Sequence, residues 1–190
     1  MKTKPTLVIF SGLPGTGKST LAGELAQQQR WPLLRIDDVA VRVPPGAGPA
    51  FWDEKILALL SLAETQLELG LDVVVDAIFM STDRLHAQEL ARRRQADFRP
   101  VYCLVSDEAV WQQRVSRRFD ELQEESVATW ERIVRQRRYF QPWEPGTALF
   151  VDAVNPPGQN HAAVLAFVTH PQPGLKPLPV SVPLIKGSYH

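Results

Sequence analysis

The sequence has little of what marks secreted, membrane or polyanion-binding proteins. Its 190 residues include one cysteine, Cys103, so no disulfide can form within the chain. No apolar run is long enough to cross a bilayer, and the apolar run after Met1–Pro5 is too short for a signal peptide. The 21 basic and 21 acidic residues cancel, which argues against bulk electrostatic binding of a polyanion. We therefore expect a soluble cytoplasmic protein.

What the sequence does contain is a globular composition, with 44% hydrophobic and 22% charged residues. Short apolar runs alternate with longer segments of helical spacing. Because strands and helices alternate in this way, we expect an α/β fold with a mostly parallel sheet and right-handed crossovers. The predicted strands are Thr6–Phe10, Leu33–Ile36, Val73–Asp76, Val101–Val105 and Ala148–Val151, and the predicted helices are about 18–29, 51–69, 82–95, 106–119, 126–140 and 160–169.

Prolines divide the chain near residue 170. Residues 1–170 are predicted to form one domain, which contains a Pro/Gly-rich turn at Pro44–Pro49. Proline lacks an N–H and has a fixed φ, so the remaining segment, 171–190, cannot be a helix or a central strand. We expect this segment to be extended along the surface or partly mobile. Its prolines are Pro171, Pro173, Pro177, Pro179 and Pro183.

The most specific motif is a glycine-rich loop at residues 12–19, between the first strand and the first helix. Gly-Leu-Pro-Gly-Thr-Gly-Lys-Ser fits the phosphate-loop pattern G-x-x-x-x-G-K-[ST] in full. Glycines let backbone amides fold around an anion, and the helix N-terminus adds a partial positive charge. Lys18 is predicted to reach the β and γ phosphates, and the Ser19 hydroxyl to bind Mg²⁺. The predicted nucleotide-binding residues are Gly12, Leu13, Pro14, Gly15, Thr16, Gly17, Lys18, Ser19 and Thr20.

The signatures of two other classes of phosphate-loop protein are missing. The chain has neither the Asp-x-x-Gly switch nor the Asn-Lys-x-Asp base-reading motif of a GTPase. Motor and remodelling ATPases end a strand with Asp-Glu, and the glutamate polarises water. Here the candidate strand ends Asp76-Ala77, without that glutamate. These differences favour phosphoryl transfer to a bound acceptor over hydrolysis.

Further segments carry a resemblance to a known family. They are Asp37-Asp38, Val73–Asp76 with Arg84 downstream, the helix with Arg114, Arg117 and Arg118, the helix ending Gln136–Trp143, and the strand Phe150–Asp152. Over nearly residues 5–170 the sequence resembles the small P-loop kinases grouped with zeta toxins, chloramphenicol phosphotransferases, gluconate kinases and the kinase half of polynucleotide kinases. The resemblance implies a P-loop three-layer sandwich with strand order 2-3-1-4-5 and a helical lid. It also implies ATP with Mg²⁺ and phosphorylation of a hydroxyl.

Two neighbouring aspartates follow the second predicted strand, at the sheet edge where ligands bind. A carboxylate there can accept the proton of an acceptor hydroxyl and aim its oxygen at the γ phosphate. In the resembling kinases one aspartate at this position plays that part. We assign Asp37 as the base and keep Asp38 as the alternative, with both as substrate contacts. A helix-capping or salt-bridged pair is the structural interpretation of the same residues.

Two more candidates lie around the third predicted strand. Asp76 ends that strand and is a candidate to hold a magnesium-bound water or to contact the acceptor. The alternative for Asp76 is a turn residue at the end of a strand. Arg84, eight residues on, is a candidate acceptor contact or a solvated helix residue.

A further group of candidate residues belongs to the predicted lid, about 114–130. Spacing places Arg114 beside Arg117 and Arg118 on one helix face, just before the acidic stretch Asp120–Glu125. In the resembling kinases such a lid closes over the triphosphate, and here Arg114 and Arg118 would neutralise charge on the transferring group. A surface helix with salt bridges is the alternative. Asn155, after the fifth strand, falls where related kinases hold the adenine.

Three functions remain open at the level of sequence. The leading one is ATP-dependent transfer of the γ phosphate to a hydroxyl of a small-molecule acceptor. A 5′-hydroxyl polynucleotide kinase would need a basic channel that the neutral charge balance does not indicate. A non-catalytic nucleotide sensor would use the proline-rich segment to dock a partner. The four histidines lack zinc-ligand spacing with Cys103, which is predicted to be a small buried hydrophobe.

Overall fold

The structure is a computed structural model that describes residues 4–39, 49–122, 128–170, 174–176 and 178. In the described residues five parallel strands form one sheet with the order β2-β3-β1-β4-β5. The predicted fold class and strand order are therefore confirmed. The strands are β1 (Thr6–Ser11), β2 (Leu33–Arg35), β3 (Val73–Asp76), β4 (Asp97–Leu104) and β5 (Leu149–Asp152). The helices are α1 (Lys18–Gln29), α2 (Ile36–Val39), α3 (Pro49–Glu68), α4 (Ser81–Arg93), α5 (Glu108–Leu122), α6 (Trp130–Arg137) and α7 (Pro157–Thr169).

Helices cover both faces of the sheet, which explains why the central strand reads as one continuous apolar run. Successive β1 side chains point to opposite faces. Leu7 and Ile9 join a core cluster formed with α3, α4 and α5. Val8 and Phe10 join a second cluster formed with α1 and α7. All of β1 is buried, so a strand with polar alternation would place polar groups in one of the two cores.

The second strand is shorter than predicted. It ends at Arg35, and Ile36–Val39 form a single helical turn, α2. Asp37 and Asp38 therefore lie in this turn, just beyond the strand, and not at its last position.

The fourth strand is longer than predicted and begins at Asp97, where the sequence analysis placed its start at Val101. Pro100 lies in this added part of the strand, although proline is normally excluded from central strands because it cannot donate to the ladder. In the structure β4 pairs with β5 only from Val101 onward, while its first half pairs with β1 alone. Pro100 therefore lies before the part of β4 that has a paired strand on each side.

The start of α4 lies one residue before the predicted one. The Met80 N–H donates to Asp83 Oδ2 at 2.7 Å, and the helix begins at Ser81. Thr82 therefore lies inside the first turn, and a carboxylate at the third helical position satisfies the exposed amide.

Two later helices have bounds that differ from the predicted ones. Thr129 caps α6, since its hydroxyl accepts the Arg132 N–H at 3.3 Å. This helix ends at Arg137, short of the predicted Phe140. The last helix begins at Pro157, three residues early, because proline fits the first turn, where its missing N–H has no partner anyway.

The described part of the proline-rich segment packs against the domain. The Lys176 N–H donates to the Gly146 carbonyl at 3.0 Å, and Leu178 belongs to the core cluster with 8% of its surface exposed. Residues 174–176 and 178 lie in neither a helix nor a strand, whereas the rest of 171–190 lies outside the described residues, as do 44–48 of the predicted turn. In the described part of the chain, no helix is long and apolar enough to span a membrane.

Candidate functional site

The glycine-rich loop follows β1 directly, and its first glycine is required by packing. Gly12 has φ 148°, and a Cβ at this position would lie 2.3 Å from the Cys103 carbonyl oxygen of β4. Gly15 has φ 82°, and a Cβ there would lie 2.7 Å from Val115 Cγ2 of α5. Any larger residue would push the loop away from β4 or from α5.

Two side chains fix the shape of the loop from inside and outside. The buried Thr16 hydroxyl donates to the Leu13 carbonyl at 2.8 Å. The Trp111 indole N–H, from α5, donates to the Pro14 carbonyl at 2.9 Å. The sequence analysis did not single out Trp111, because 97 residues separate the two partners.

Helix α1 presents its N-terminus to the space that the loop encloses. Its N-cap is Gly17, and no side chain makes a capping hydrogen bond there. The first-turn amides and the positive end of the helix dipole can therefore serve an anion. Lys18 and Ser19 lie in this first turn, and the side chain of Thr20 is exposed.

Asp76 is the buried centre of the site, at the end of β3 beside β1, with 2% of its surface exposed. Burial raises the pKa of this carboxyl, and the Lys18 ammonium and the Ser19 hydroxyl oppose the rise. The charge of Asp37 adds to the rise and that of Arg35 opposes it. Since such effects fall off with distance, the five side chains lie together at the carboxyl edge of the sheet.

The donor set fits a magnesium ion that is shared with phosphate. The Asp76 carboxylate lies close to the Ser19 hydroxyl. Its Oδ1 atom is buried and accepts no hydrogen bond from the described residues. A buried acceptor without a donor is the group that a cation would satisfy. Over the described ranges, no group of three or more His, Cys, Asp or Glu could hold a metal by itself. Magnesium commonly uses one or two protein ligands and completes its shell with water and phosphate oxygens.

The two aspartates of α2 have different surroundings, although both are exposed. Asp38 Oδ2 pairs with Arg35 Nε at 3.1 Å. The charge of Asp37 acts on Asp76. The salt-bridge interpretation thus describes Asp38, while Asp37 is the aspartate of α2 whose charge reaches the buried carboxylate.

The burial of Arg84 excludes one of its two sequence interpretations. It is 5% exposed, so it is not a solvated helix residue. Its guanidinium donates to the carbonyls of Phe79 at 3.0 Å, of Pro142 at 3.4 Å and of Gln141, and lies 4.7 Å from the centre of the Trp143 ring. Burial lowers its pKa to about 10. Three of its five N–H donors are engaged by protein carbonyls, so Arg84 joins α4 to residues 141–142, and its role as an acceptor contact stays a prediction.

A second network of hydrogen bonds supports the same loop. The buried Ser11 hydroxyl, immediately before the glycine-rich loop, donates to the Ile78 carbonyl at 2.6 Å. The same hydroxyl accepts the Trp143 indole N–H at 3.0 Å. Ser11 therefore fixes the start of the loop to the segment after Asp76. The sequence signal for it is only a polar residue at the end of a buried strand.

Arg114 reaches the loop between β5 and α7. Its Nη2 donates to the Ala153 carbonyl at 2.8 Å. Asp152 Oδ1, at the end of β5, accepts the N–H groups of Ser106 and Val154, each at 3.1 Å. Asn155 follows in this loop with its side chain exposed. The structure thus brings Arg114 close to the predicted adenine-side residue.

The other arginines of α5 lie on its exposed surface. Arg117 pairs with Glu121 at 3.6 Å, as the surface-helix alternative predicts. Arg118 is exposed. The lid predicted for 114–130 comprises the end of α5 and the start of α6, and its middle, 123–127, lies outside the described residues.

Comparisons with known proteins identify a family and a fold for this chain. A family model described as AAA domain matches residues 7–143, more than half of the chain. No curated protein sequence matches the chain. A candidate kinase from Chloroflexus aurantiacus is similar in structure with TM-score 0.68 and 26% identity, over 90% of this chain and 100% of that one.

Two further solved structures have the same fold at lower identity. A gluconokinase from Sinorhizobium meliloti has TM-score 0.63 and 18% identity, over 88% of this chain and 93% of that one. The APS kinase of Mycobacterium tuberculosis in complex with AMPPNP and APS has TM-score 0.61 and 18% identity, over 88% and 99%. At these identities the likeness concerns the fold.

Proposed function

We propose that this chain, which belongs to the AAA domain family and shares its fold with kinases, transfers the γ phosphate of ATP to a hydroxyl of a small-molecule acceptor. One observation supports this most strongly. Lys18, Ser19, Asp37 and Asp76 lie together beside a loop shaped for an anion. A phosphate site with a magnesium-type donor pair and a nearby carboxylate contains the parts that phosphoryl transfer needs.

The nucleotide end of the site is formed by residues 12–20. Their backbone amides, at the N-terminus of α1, surround the phosphates, and the Lys18 ammonium lies over the β and γ groups. Ser19 and Asp76 would hold Mg²⁺, which neutralises charge on the phosphate oxygens when it is bound with ATP. Arg114 and Asn155 border the loop after β5, where the base would lie.

The acceptor end of the site depends on Asp37. Its carboxylate accepts the proton of the acceptor hydroxyl as that oxygen forms its bond to the γ phosphorus. The bond from this phosphorus to the β–γ bridging oxygen breaks, and ADP leaves with the electron pair. Arg114 and Arg118 of the lid offset the negative charge that spreads over the transferring group.

The acceptor in this proposal is a small molecule. The chain has formal net charge +0, and a polynucleotide acceptor would need many phosphate contacts from lysines and arginines. A polynucleotide acceptor predicts a steep fall of affinity with salt, whereas a small acceptor predicts a shallow one.

The proposal is tested by three variants, each measured for ATP affinity by calorimetry and for phosphoryl transfer to a panel of sugars, nucleosides, antibiotics and 5′-hydroxyl oligonucleotides. Lys18→Ala removes the charge that faces the β and γ phosphates, and we expect both ATP affinity and turnover to fall. Asp37→Asn keeps the shape but cannot take the proton, so turnover should fall about 10²- to 10⁴-fold with ATP affinity unchanged.

Asp38→Asn is the matched control, because its carboxylate is exposed and paired with Arg35. It should change turnover by less than Asp37→Asn does. If transfer depends on Asp38 instead, Asp38 is the general base and the rest of the mechanism is unchanged. Unchanged ATP binding and turnover in Lys18→Ala would mean that the phosphate loop is not the nucleotide site. No transfer to any acceptor by the wild type would overturn the kinase proposal and favour a nucleotide sensor.

A further inference from the structure

Lys55 of α3 is a buried cation without a hydrogen-bond acceptor. Only 7% of its surface is exposed, and its Nζ has no hydrogen-bond partner in the described part of the chain. It lies 4.3 Å from the centre of the Phe51 ring and 5.3 Å from that of Trp52. Aromatic faces attract an ammonium but leave its three N–H donors unused. A buried ammonium usually donates to a hydrogen-bond acceptor, because burying it without one is unfavourable.

The position of α3 in the fold shows where this ammonium lies. β2 and β3 are parallel neighbours, so the helix between them runs back across the sheet and begins at the carboxyl edge. Lys55 is about 9 Å along the helix axis from Pro49, the first residue of α3. Helical side chains lean toward the N-terminus, and Nζ lies over two residues that precede Lys55. Nζ is therefore directed toward the carboxyl edge.

Neighbouring contacts place the start of α3 among the acceptor-side elements. The charge of Asp53 contributes to the raised pKa of Asp83, so the first turns of α3 lie close to the start of α4. α3 also contacts α2, the turn that carries Asp37. The edge that Lys55 faces is therefore the edge with Asp37 and Asp76. In the described residues, no carboxylate accepts a hydrogen bond from Lys55 Nζ.

We propose that Lys55 binds an anionic group of the acceptor, so that the acceptor is a hydroxyl compound with a carboxylate, phosphate or sulfate group. This rests on the proposed function. The charges of Asp37 and Asp76 lie close together and disfavour an anion directly beside them. An ammonium held at the α3 side attracts the anionic end, which leaves the hydroxyl end for Asp37. Lys55 thereby sets both the class and the orientation of the acceptor.

Calorimetry in the presence of Mg²⁺ and AMPPNP, which blocks transfer, tests the inference directly. The probes are gluconate against sorbitol, glycerate and glycerol 3-phosphate against glycerol, and sulfate and phosphate esters of nucleosides against the parent nucleosides. We expect at least one anionic probe to bind more tightly than its uncharged parent. Lys55→Met, which keeps the apolar stem, should weaken that probe about 10- to 100-fold and leave AMPPNP and the uncharged parent unaffected.

Two controls separate binding from stability. Lys55→Arg keeps the positive charge and should retain most of the affinity. Lys176→Met removes an exposed lysine near Gly146, before β5, and should change nothing. If Lys55→Met does not fold by circular dichroism, the comparison of Lys55→Arg with the wild type on the anionic and uncharged probes decides instead.

The outcomes also distinguish the two proposals. Wild-type protein that binds no anionic probe better than its parent, or a folded Lys55→Met with full affinity, overturns the inference. Transfer to uncharged acceptors alone overturns it as well, while the kinase proposal stands. Anion binding that depends on Lys55, without transfer from ATP to any probe, supports an anion site at Lys55, but it overturns the kinase proposal and with it the assignment of that anion to an acceptor.

Discussion

At the scale of single residues, Asp83 shows how one side chain can support a helix and oppose the stability of the fold. Its carboxylate accepts the Met80 N–H that α4 leaves free. It is also 5% exposed, and burial raises its pKa from 3.8 to about 6, with Asp53 adding to the rise and the Met80 N–H opposing it. The hydrogen bond from Met80 therefore offsets only part of the free-energy cost of burying the Asp83 charge.

A pH prediction follows from this shift. Because the folded pKa exceeds the unfolded one, the stabilising contribution of Asp83 is full below pH 3.8 and is lost as pH rises through about 6. At 1.36 kcal/mol per pKa unit, the loss is about 3 kcal/mol. Asp83→Asn keeps an oxygen for Met80 and does not titrate. Its free energy of unfolding relative to wild type should therefore rise by about 2 to 3 kcal/mol between pH 4 and 7.5.

Denaturant unfolding at several pH values measures this difference, and other titrating groups cancel in the comparison. Asp53→Asn, at an exposed neighbouring position, is the control and should show a much flatter difference. Parallel pH profiles for wild type and Asp83→Asn would mean that Asp83 titrates near its ordinary value in the folded protein.

At the scale of elements, α5 joins the two ends of the nucleotide site. Trp111 donates to the phosphate loop, Val115 packs against Gly15, and Arg114 donates to the loop after β5. Spacings of three and four residues place these side chains on one face of the helix. A movement of α5 would therefore change the phosphate loop and the loop after β5 together.

The lid prediction belongs to this helix. Arg114→Ala with Arg118→Ala should leave nucleotide binding largely intact but reduce phosphoryl transfer about 10²-fold or more, because charge in the transition state loses its counterions. Arg117→Ala is the matched control, since this arginine is exposed and pairs with Glu121 on the same helix. Single-turnover measurement at saturating ATP and acceptor tests it. Near wild-type transfer by the double variant would assign both arginines to the surface-helix alternative.

At the scale of the whole molecule, the sequence predicts features that depend on local patterns and does not predict contacts between segments distant in sequence. The phosphate loop and the buried strands are visible because glycine spacing and apolar runs are local patterns. The strand order came from the family resemblance. The burial of Arg84 and of Lys55 could not be predicted, because it depends on aromatic residues and carbonyls that the fold assembles. The early start of β4, with Pro100 inside the strand, could not be predicted for the same reason, since it depends on where β5 starts to pair.

The C-terminal segment gives the last test of how far the domain extends. Leu178 lies beyond the predicted domain end at residue 170, yet it is 8% exposed and belongs to the core cluster. Leu178→Ala should therefore destabilise the fold by about 2 to 4 kcal/mol, as other buried Leu→Ala changes do. Lys176→Ala keeps the backbone bond to Gly146 and removes only an exposed side chain, so its unfolding midpoint should match wild type. An unchanged midpoint for Leu178→Ala would instead return this segment to the solvated surface and end the domain near residue 170.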